Sequence, residues 1–165
     1  MRPTSEAVRD AWLSWLAADL PEARVLDLFA GTGALGLEAL SRGAATVDFV
    51  ENGPSALHSL KANRARLRVQ KRTRLFKRDA IQFVEALRPG AYDLTLADPP
   101  YTSNAGARLV RHWLEVPFSR VLAVEHAADQ DLPGKGRKKV FGDIAVSLYR
   151  RPEGCRAGSA GSPRR

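Results

Sequence analysis

The sequence predicts a doubly wound α/β fold, with a mostly parallel, seven-stranded sheet, helices on both faces and a C-terminal antiparallel hairpin. Three observations predict it. Short runs rich in Val, Leu and Phe alternate with helical stretches, a glycine-rich turn follows the first run, and the last two runs are separated only by Gly142-Asp143.

Taken in order, Val8, Trp12, Trp15 and Leu16 fall at i, i+4, i+7 and i+8, so residues 6–18 read as an amphipathic helix. Thr4 or Ser5 is its expected N-cap, and its aromatic stripe is expected to face the core. Strands are expected at 24–29, 46–51, 73–76, 92–97 and 121–125, and helices at 34–42, 54–67, 80–87 and 105–114. The helix at 54–67 opens with Pro54, whose missing N–H costs nothing in a first turn. Runs 138–141 and 144–149 close the sheet as a hairpin, because their two-residue connection leaves no room for a crossover helix. Residues 152–165 (PEGCRAGSAGSPRR) have almost nothing to bury, so a single domain over 1–151 is expected to be followed by a disordered basic tail.

A chain of 165 residues can bury a proper core as one domain, and a monomer is expected. The charge balance is less ordinary. With 26 Lys and Arg against 18 Asp and Glu, the net charge is +8, which points to a polyanionic partner and first of all to nucleic acid. Cys155 is the single cysteine, and His58, His112 and His126 lack metal-ligand spacing, so neither a disulfide framework nor a metal site is expected. No apolar run approaches the length of a membrane span and no signal-peptide core is visible, so a cytoplasmic location is expected.

The fourth strand ends in Asp98-Pro99-Pro100-Tyr101. Consecutive prolines lack N–H donors and have a fixed φ, which leaves free carbonyls in a rigid, non-helical turn. An exocyclic amine on a nucleobase is a poor nucleophile, because its lone pair is delocalised into the ring. A carboxylate and a carbonyl that accept its two N–H bonds, together with an aromatic plate for the base, supply the help it needs. Asp98, Pro99 and Tyr101 offer that set, and the chemistry it suits is amine methylation. The plainer alternative is a strand-to-loop junction in which Asp98 caps and Tyr101 fills a gap.

The turn after the first strand reads Asp27-Leu28-Phe29-Ala30-Gly31-Thr32-Gly33-Ala34-Leu35-Gly36. Gly31 and Gly33 permit a tight turn and close backbone approach to a ligand, while Gly36 permits close helix–sheet packing. Glu51, at the end of the second strand, can reach the hydroxyls of a ribose lying over this loop. The same string fits a dinucleotide fingerprint. Asp27 weighs against that reading, since a carboxylate there repels a pyrophosphate but suits the ammonium end of S-adenosylmethionine; nor does any sequence remain for a separate substrate domain. Asp79, ending the third strand, is a plausible acceptor for an adenine amino group or, alternatively, an N-cap for the next helix.

These elements stand in the order found in Rossmann-like S-adenosylmethionine-dependent methyltransferases. Arg2-Pro3-Thr4, Val8-Arg9, the string from Leu26 through Gly43, Asp98-Pro99-Pro100-Tyr101 and Ser147-Leu148-Tyr149-Arg150 resemble the bacterial 16S ribosomal RNA guanine-N2-methyltransferases over residues 2 to 151. The resemblance implies methyl transfer to one guanine N2 amine, within a partly assembled small ribosomal subunit. It implies that Asp27, Phe29, Gly31, Gly33, Glu51, Asn52, Asp79 and Ala80 bind S-adenosylmethionine. It likewise implies that Asp98 and the Pro99 carbonyl hold the guanine amine while Tyr101 stacks on the base. Members of that family generally carry a glycine- and basic-rich segment before Arg-Pro-Thr, whereas this sequence begins at that motif; if that segment helps grip RNA, other residues are expected to compensate or the substrate to differ.

Because the four-residue motif is shared, DNA adenine-N6 and protein-glutamine methylation stand as alternatives, as does a non-catalytic RNA-binding or assembly role. Two basic clusters are candidate RNA contacts. Residues 64–78 contain eight Lys or Arg and no acid, and Lys135, Arg137, Lys138 and Lys139 precede the hairpin. Arg108 and Arg111 follow the Asp98 motif on its helix.

Overall fold

The computed structural model describes residues 6–152, so the expected N-cap, the Arg-Pro-Thr motif and nearly all of the expected tail lie outside the described residues. Helices α1 (Glu6–Trp15), α2 (Ala34–Ser41), α3 (Pro54–Leu67), α4 (Ala80–Glu85) and α5 (Ala105–Glu115) are interleaved with seven strands. The strands are β1 (Arg24–Leu28), β2 (Thr46–Val50), β3 (Thr73–Phe76), β4 (Tyr92–Ala97), β5 (Ser119–Ala127), β6 (Arg137–Phe141) and β7 (Ile144–Arg150).

They form one sheet in the order β3-β2-β1-β4-β5-β7-β6. The first five strands are parallel, and β7 runs antiparallel to both β5 and β6. This is the doubly wound sheet with a closing hairpin that the alternation predicted. Side chains alternate between two cores, as the period of a strand requires. Val25, Val47, Phe49, Leu94, Leu96, Val121, Ala123 and Val146 pack with Trp12, Leu13 and Leu16 of α1 and Ala39 and Leu40 of α2 on one face. Leu26, Leu28, Val50, Ala97, Leu122 and Val124 pack with Ile81 and Val84 of α4 and Leu109, Val110 and Trp113 of α5 on the other.

Several boundaries differ from expectation, each for a local reason. Helix α1 stops at Trp15, not at residue 18, because the N–H groups of Leu16, Ala17 and Asp19 bond carbonyls three residues back. Strand β1 ends at Leu28 because Phe29 enters the left-handed region at φ 58. Strand β5 extends beyond 121–125 at both ends, since Ser119 pairs with Tyr92 of β4 and β7 pairs with it as far as Ala127. Helix α4 closes at Glu85, where Ala86 and Leu87 make i−3 bonds.

Candidate active site

The strand order reverses between β1 and β4, and in open α/β sheets the crevice outside the carboxyl ends at such a switch point is where ligands bind. Leu28 lies opposite Ala97, so the glycine loop and Asp98 leave the sheet side by side. Between them is a cavity of about 380 Å³ lined by Arg9, Trp12, Asp27, Phe29, Gly31 and Asp98, among others. That volume suits a small organic ligand.

The loop is shaped by positive φ angles: Phe29 at 58°, Gly31 at 60° and Gly33 at 85°. A non-glycine residue in that region is strained, and such strain gathers at ligand clamps. A Cβ on Gly31 would meet nothing within 4 Å, so packing does not demand glycine there; the backbone angle and the open cavity do. Gly36 is glycine for the opposite reason. A Cβ there would lie 2.6 Å from Phe49 Cε1 and 2.8 Å from Asp27 Oδ2.

Asp27 is buried, and the Gly36 N–H donates to its Oδ2 at 3.0 Å. Burial pushes its carboxyl well above the usual carboxylate range; the Gly36 N–H opposes this, while the charges of Asp98 and Glu51 reinforce it. Glu51 is held from two sides, accepting from Gly31 N–H at 2.8 Å and from Gly53 N–H at 2.9 Å, and thereby ties the glycine loop to the end of β2. Asp79 accepts from Gln82 N–H at 2.9 Å, which is the N-cap arrangement for α4. Asn52 is exposed beside Glu51, and Ala80 is buried at the start of α4. Asp27, Phe29, Gly31 and Asp98 therefore share the cavity, with Glu51, Asn52, Asp79 and Ala80 following along the ends of β2 and β3.

On the other side of the switch point, Pro99 is buried and Tyr101 half-buried. The Ser103 hydroxyl donates to the Pro100 carbonyl at 3.1 Å and accepts from Ala105 N–H at 3.2 Å, which fixes the turn against the start of α5. The Tyr101 hydroxyl donates to Glu125 Oε2 at 2.9 Å, and Glu125 is fully buried. Sequence reasoning assigned Glu125 only to a strand. The available signal was an acid closing an apolar parallel strand, where the carboxyl ends share one crevice. Arg9 and Trp12 were also missed as cavity residues, because α1 precedes the sheet in sequence and its place above the glycine loop is a tertiary fact. The indole N–H of Trp12 is buried and has no hydrogen-bond partner among the described residues.

The basic block 64–78 is divided by β3. Arg64 bonds Thr73, Arg72 bonds the carbonyls of Ala44 and Ala45, and Arg74 pairs with Asp48, so its amino-end part is largely committed to holding the fold. Lys77 and Arg78 emerge at the carboxyl end of β3 instead. Among the described residues no group of His, Cys, Asp or Glu has an arrangement able to hold a metal ion, and no helix is long and apolar enough to cross a membrane.

The family described as Conserved hypothetical protein 95 matches residues 1–150. The ribosomal RNA small subunit methyltransferase D of Escherichia coli K12 is 32% identical, the alignment covering 92% of this chain and 80% of that protein. The chain belongs to the ribosomal RNA small subunit methyltransferase D family. The enzyme of the same name from Haemophilus influenzae is 28% identical, over 90% of this chain and 82% of its own. A hypothetical protein from Thermus thermophilus has a solved structure that superposes with a TM-score of 0.77 at 28% identity, covering 91% of this chain and 88% of that one. The family match includes every residue of the cavity, the Asp98 turn, Glu125 and the closing hairpin.

Proposed function

We propose that this protein is a single-domain, monomeric, cytoplasmic methyltransferase that uses S-adenosylmethionine to methylate the N2 amine of a guanine in 16S ribosomal RNA, within a partly assembled small subunit. The observation that carries the reading is the approach of Asp98 and Glu51 to buried Asp27, beside the cavity that Asp27 and Asp98 line and an acceptor-rich Pro-Pro turn. Such a crowd of carboxylates suits an organic cation, and a sulfonium amino acid is one. The donor set fits the rest of that molecule: Gly31 leaves room for close backbone approach, and Glu51 faces the loop where ribose hydroxyls are expected.

Bound there, S-adenosylmethionine supplies a methyl carbon already activated by its positive sulfur. The protein's part is positioning and electrostatics. Asp27 would hold the ammonium end, whose positive charge would offset the repulsion Asp27 receives from Asp98 and Glu51. Asp98 and the Pro99 carbonyl accept the two N–H bonds of the amine, which aims the nitrogen lone pair at the methyl group. Asp98 also stabilises the positive charge that develops on that nitrogen, and the departing proton leaves by way of its carboxylate. Tyr101, held by Glu125, stacks on the base. An amine inside a stacked helix cannot reach such a pocket, so the guanine is unpaired or extruded.

The test is incubation with labelled methyl donor and, separately, small subunits, protein-free 16S rRNA and duplex DNA, followed by nucleoside analysis. N2-methylguanine from an RNA substrate is the expected product. N6-methyladenine without N2-methylguanine would overturn the assignment.

A further inference from the structure

The register places a second feature in line with the acceptor pocket. Ala97 lies opposite Val124, so Asp98 falls level with Glu125; Glu125 lies opposite Val146, and Val146 opposite Lys139. Lys139 therefore stands in the same row as Asp98, three strand spacings away, or about 14 Å. It also stands on the same face. Val146 and Leu148 pack in the core beneath α1, and their partners on β6 are Lys139 and Arg137.

Both side chains lie over the ring of Trp15 at the end of α1, Lys139 Nζ at 4.6 Å and Arg137 Cζ at 5.9 Å from its centroid. Both residues are exposed, and neither forms a salt bridge among the described residues. Lys138, between them, projects to the other face and is committed there: its ammonium donates to the carbonyls of Ala128 and Gln130 and pairs with Asp131. Alternation along one edge strand thus separates a structural lysine from two cations held ready on an aromatic platform, an arrangement that orders long side chains without neutralising them. Charge alone would protect a sheet edge from unwanted pairing. Stacking two cations on one indole, one of them in the row of Asp98 and both on the face of the cavity, is more than edge protection requires.

We infer that Arg137 and Lys139, presented by Trp15 on the β6 edge, form the phosphate-binding strip over which the substrate RNA leaves the acceptor pocket. This rests on the proposed reading of the site as an RNA methyltransferase. The strip contacts phosphate and not base edges, so it adds affinity without sequence preference, and that affinity falls as salt rises.

The experiment compares wild type, R137A/K139A and R137Q/K139Q for binding of protein-free 16S rRNA over a series of salt concentrations. Calorimetric titration with S-adenosylmethionine runs alongside, and Lys61→Ala, an exposed lysine on α3 outside both basic clusters, serves as a control. Each lost phosphate contact lowers the slope of log affinity against log salt by about 0.7–0.9, so both double variants should bind RNA more weakly at low salt with a slope shallower by about 1.4–1.8. Cofactor affinity and the control should stay at wild-type values. Double variants that bind RNA with wild-type affinity and slope would overturn the strip. The two readings fail separately: wild type that transfers no methyl group to RNA, while the double variants still lose RNA affinity, removes the reaction and keeps the strip. Active wild type whose double variants retain the wild-type KM for RNA does the reverse.

Discussion

Asp27 and Asp48 are buried carboxylates on neighbouring strands of one sheet, and the fold treats them in opposite ways. Asp48 accepts from Arg74 Nε at 3.0 Å and Nη2 at 2.7 Å, and from the Tyr92 hydroxyl. Among the described residues Asp27 accepts one backbone N–H, from Gly36, and lies near two further acids. Desolvating a charge costs free energy unless a partner compensates, so Asp48 is paired within the sheet whereas Asp27 is far less compensated by the described residues. The difference assigns tasks to the two regions. Neutralised charge belongs to the scaffold, and under the proposed reading the carboxylates crowded around Asp27 are the ones whose charge a cationic ligand offsets.

Four substitutions test that contrast, the largest effect first. Asp98→Ala should lower kcat by about 10²–10³-fold, the usual cost of losing a preorganised charge-stabilising group, while S-adenosylmethionine affinity changes little. Near-normal turnover in single-turnover assays would remove Asp98 from the chemistry. Asp27→Asn should weaken S-adenosylmethionine binding about tenfold or more, equivalent to roughly 1.4 kcal/mol, yet raise the melting temperature of the unliganded protein. The sign follows from linkage. A carboxyl whose folded pKa is raised binds more protons in the folded state than in the unfolded one. Its contribution to stability is therefore greatest below the ordinary aspartate value and is lost as pH rises through the raised value. Removing the charge should flatten that decline, which thermal melts across pH would reveal.

Asp48→Asn should do the converse, lowering stability by about 1–3 kcal/mol through loss of a charge-assisted pair, with Arg74 partly exposed, while leaving cofactor binding intact. A cofactor-binding defect of the size seen for Asp27→Asn would erase the distinction between the two regions. Tyr101→Phe keeps the stacking ring but loses the bond to Glu125, worth about 0.5–1.5 kcal/mol, and should raise the KM for RNA several-fold with kcat less affected. An unchanged KM would show that Glu125 has no part in placing the ring.

The scaffold was more legible than the pairing of its charges. Apolar runs such as those read at 92–97 and 46–51 announce themselves because a parallel strand covered on both faces has to be apolar nearly throughout. The glycine loop was legible because positive φ angles and the tight approach at Gly36 admit few other residues. Asp98 was legible because the prolines beside it restrict the turn. What sequence could not supply was register. Arg74 meets Asp48 only because β3 lies beside β2 in one particular alignment, and this pairing is what turns a conspicuous basic run into scaffold. Tyr101 meets Glu125, and α1 reaches the cavity, for the same kind of reason: each contact joins segments that only the sheet order brings together. The alternating fates of Arg137, Lys138 and Lys139 likewise require knowing which face of β6 looks toward α1.

If a sulfonium cofactor offsets the charges crowded around Asp27 at the switch point, its binding depends on that carboxylate. Calorimetric titration of S-adenosylmethionine into wild type and Asp27→Asn, repeated as pH is raised, reads that dependence. Wild type should bind more tightly, with proton release, as pH rises through the raised value of Asp27, and Asp27→Asn should bind more weakly with a flatter pH profile. Wild type that binds no S-adenosylmethionine, or that shares the affinity and pH profile of Asp27→Asn, would contradict it.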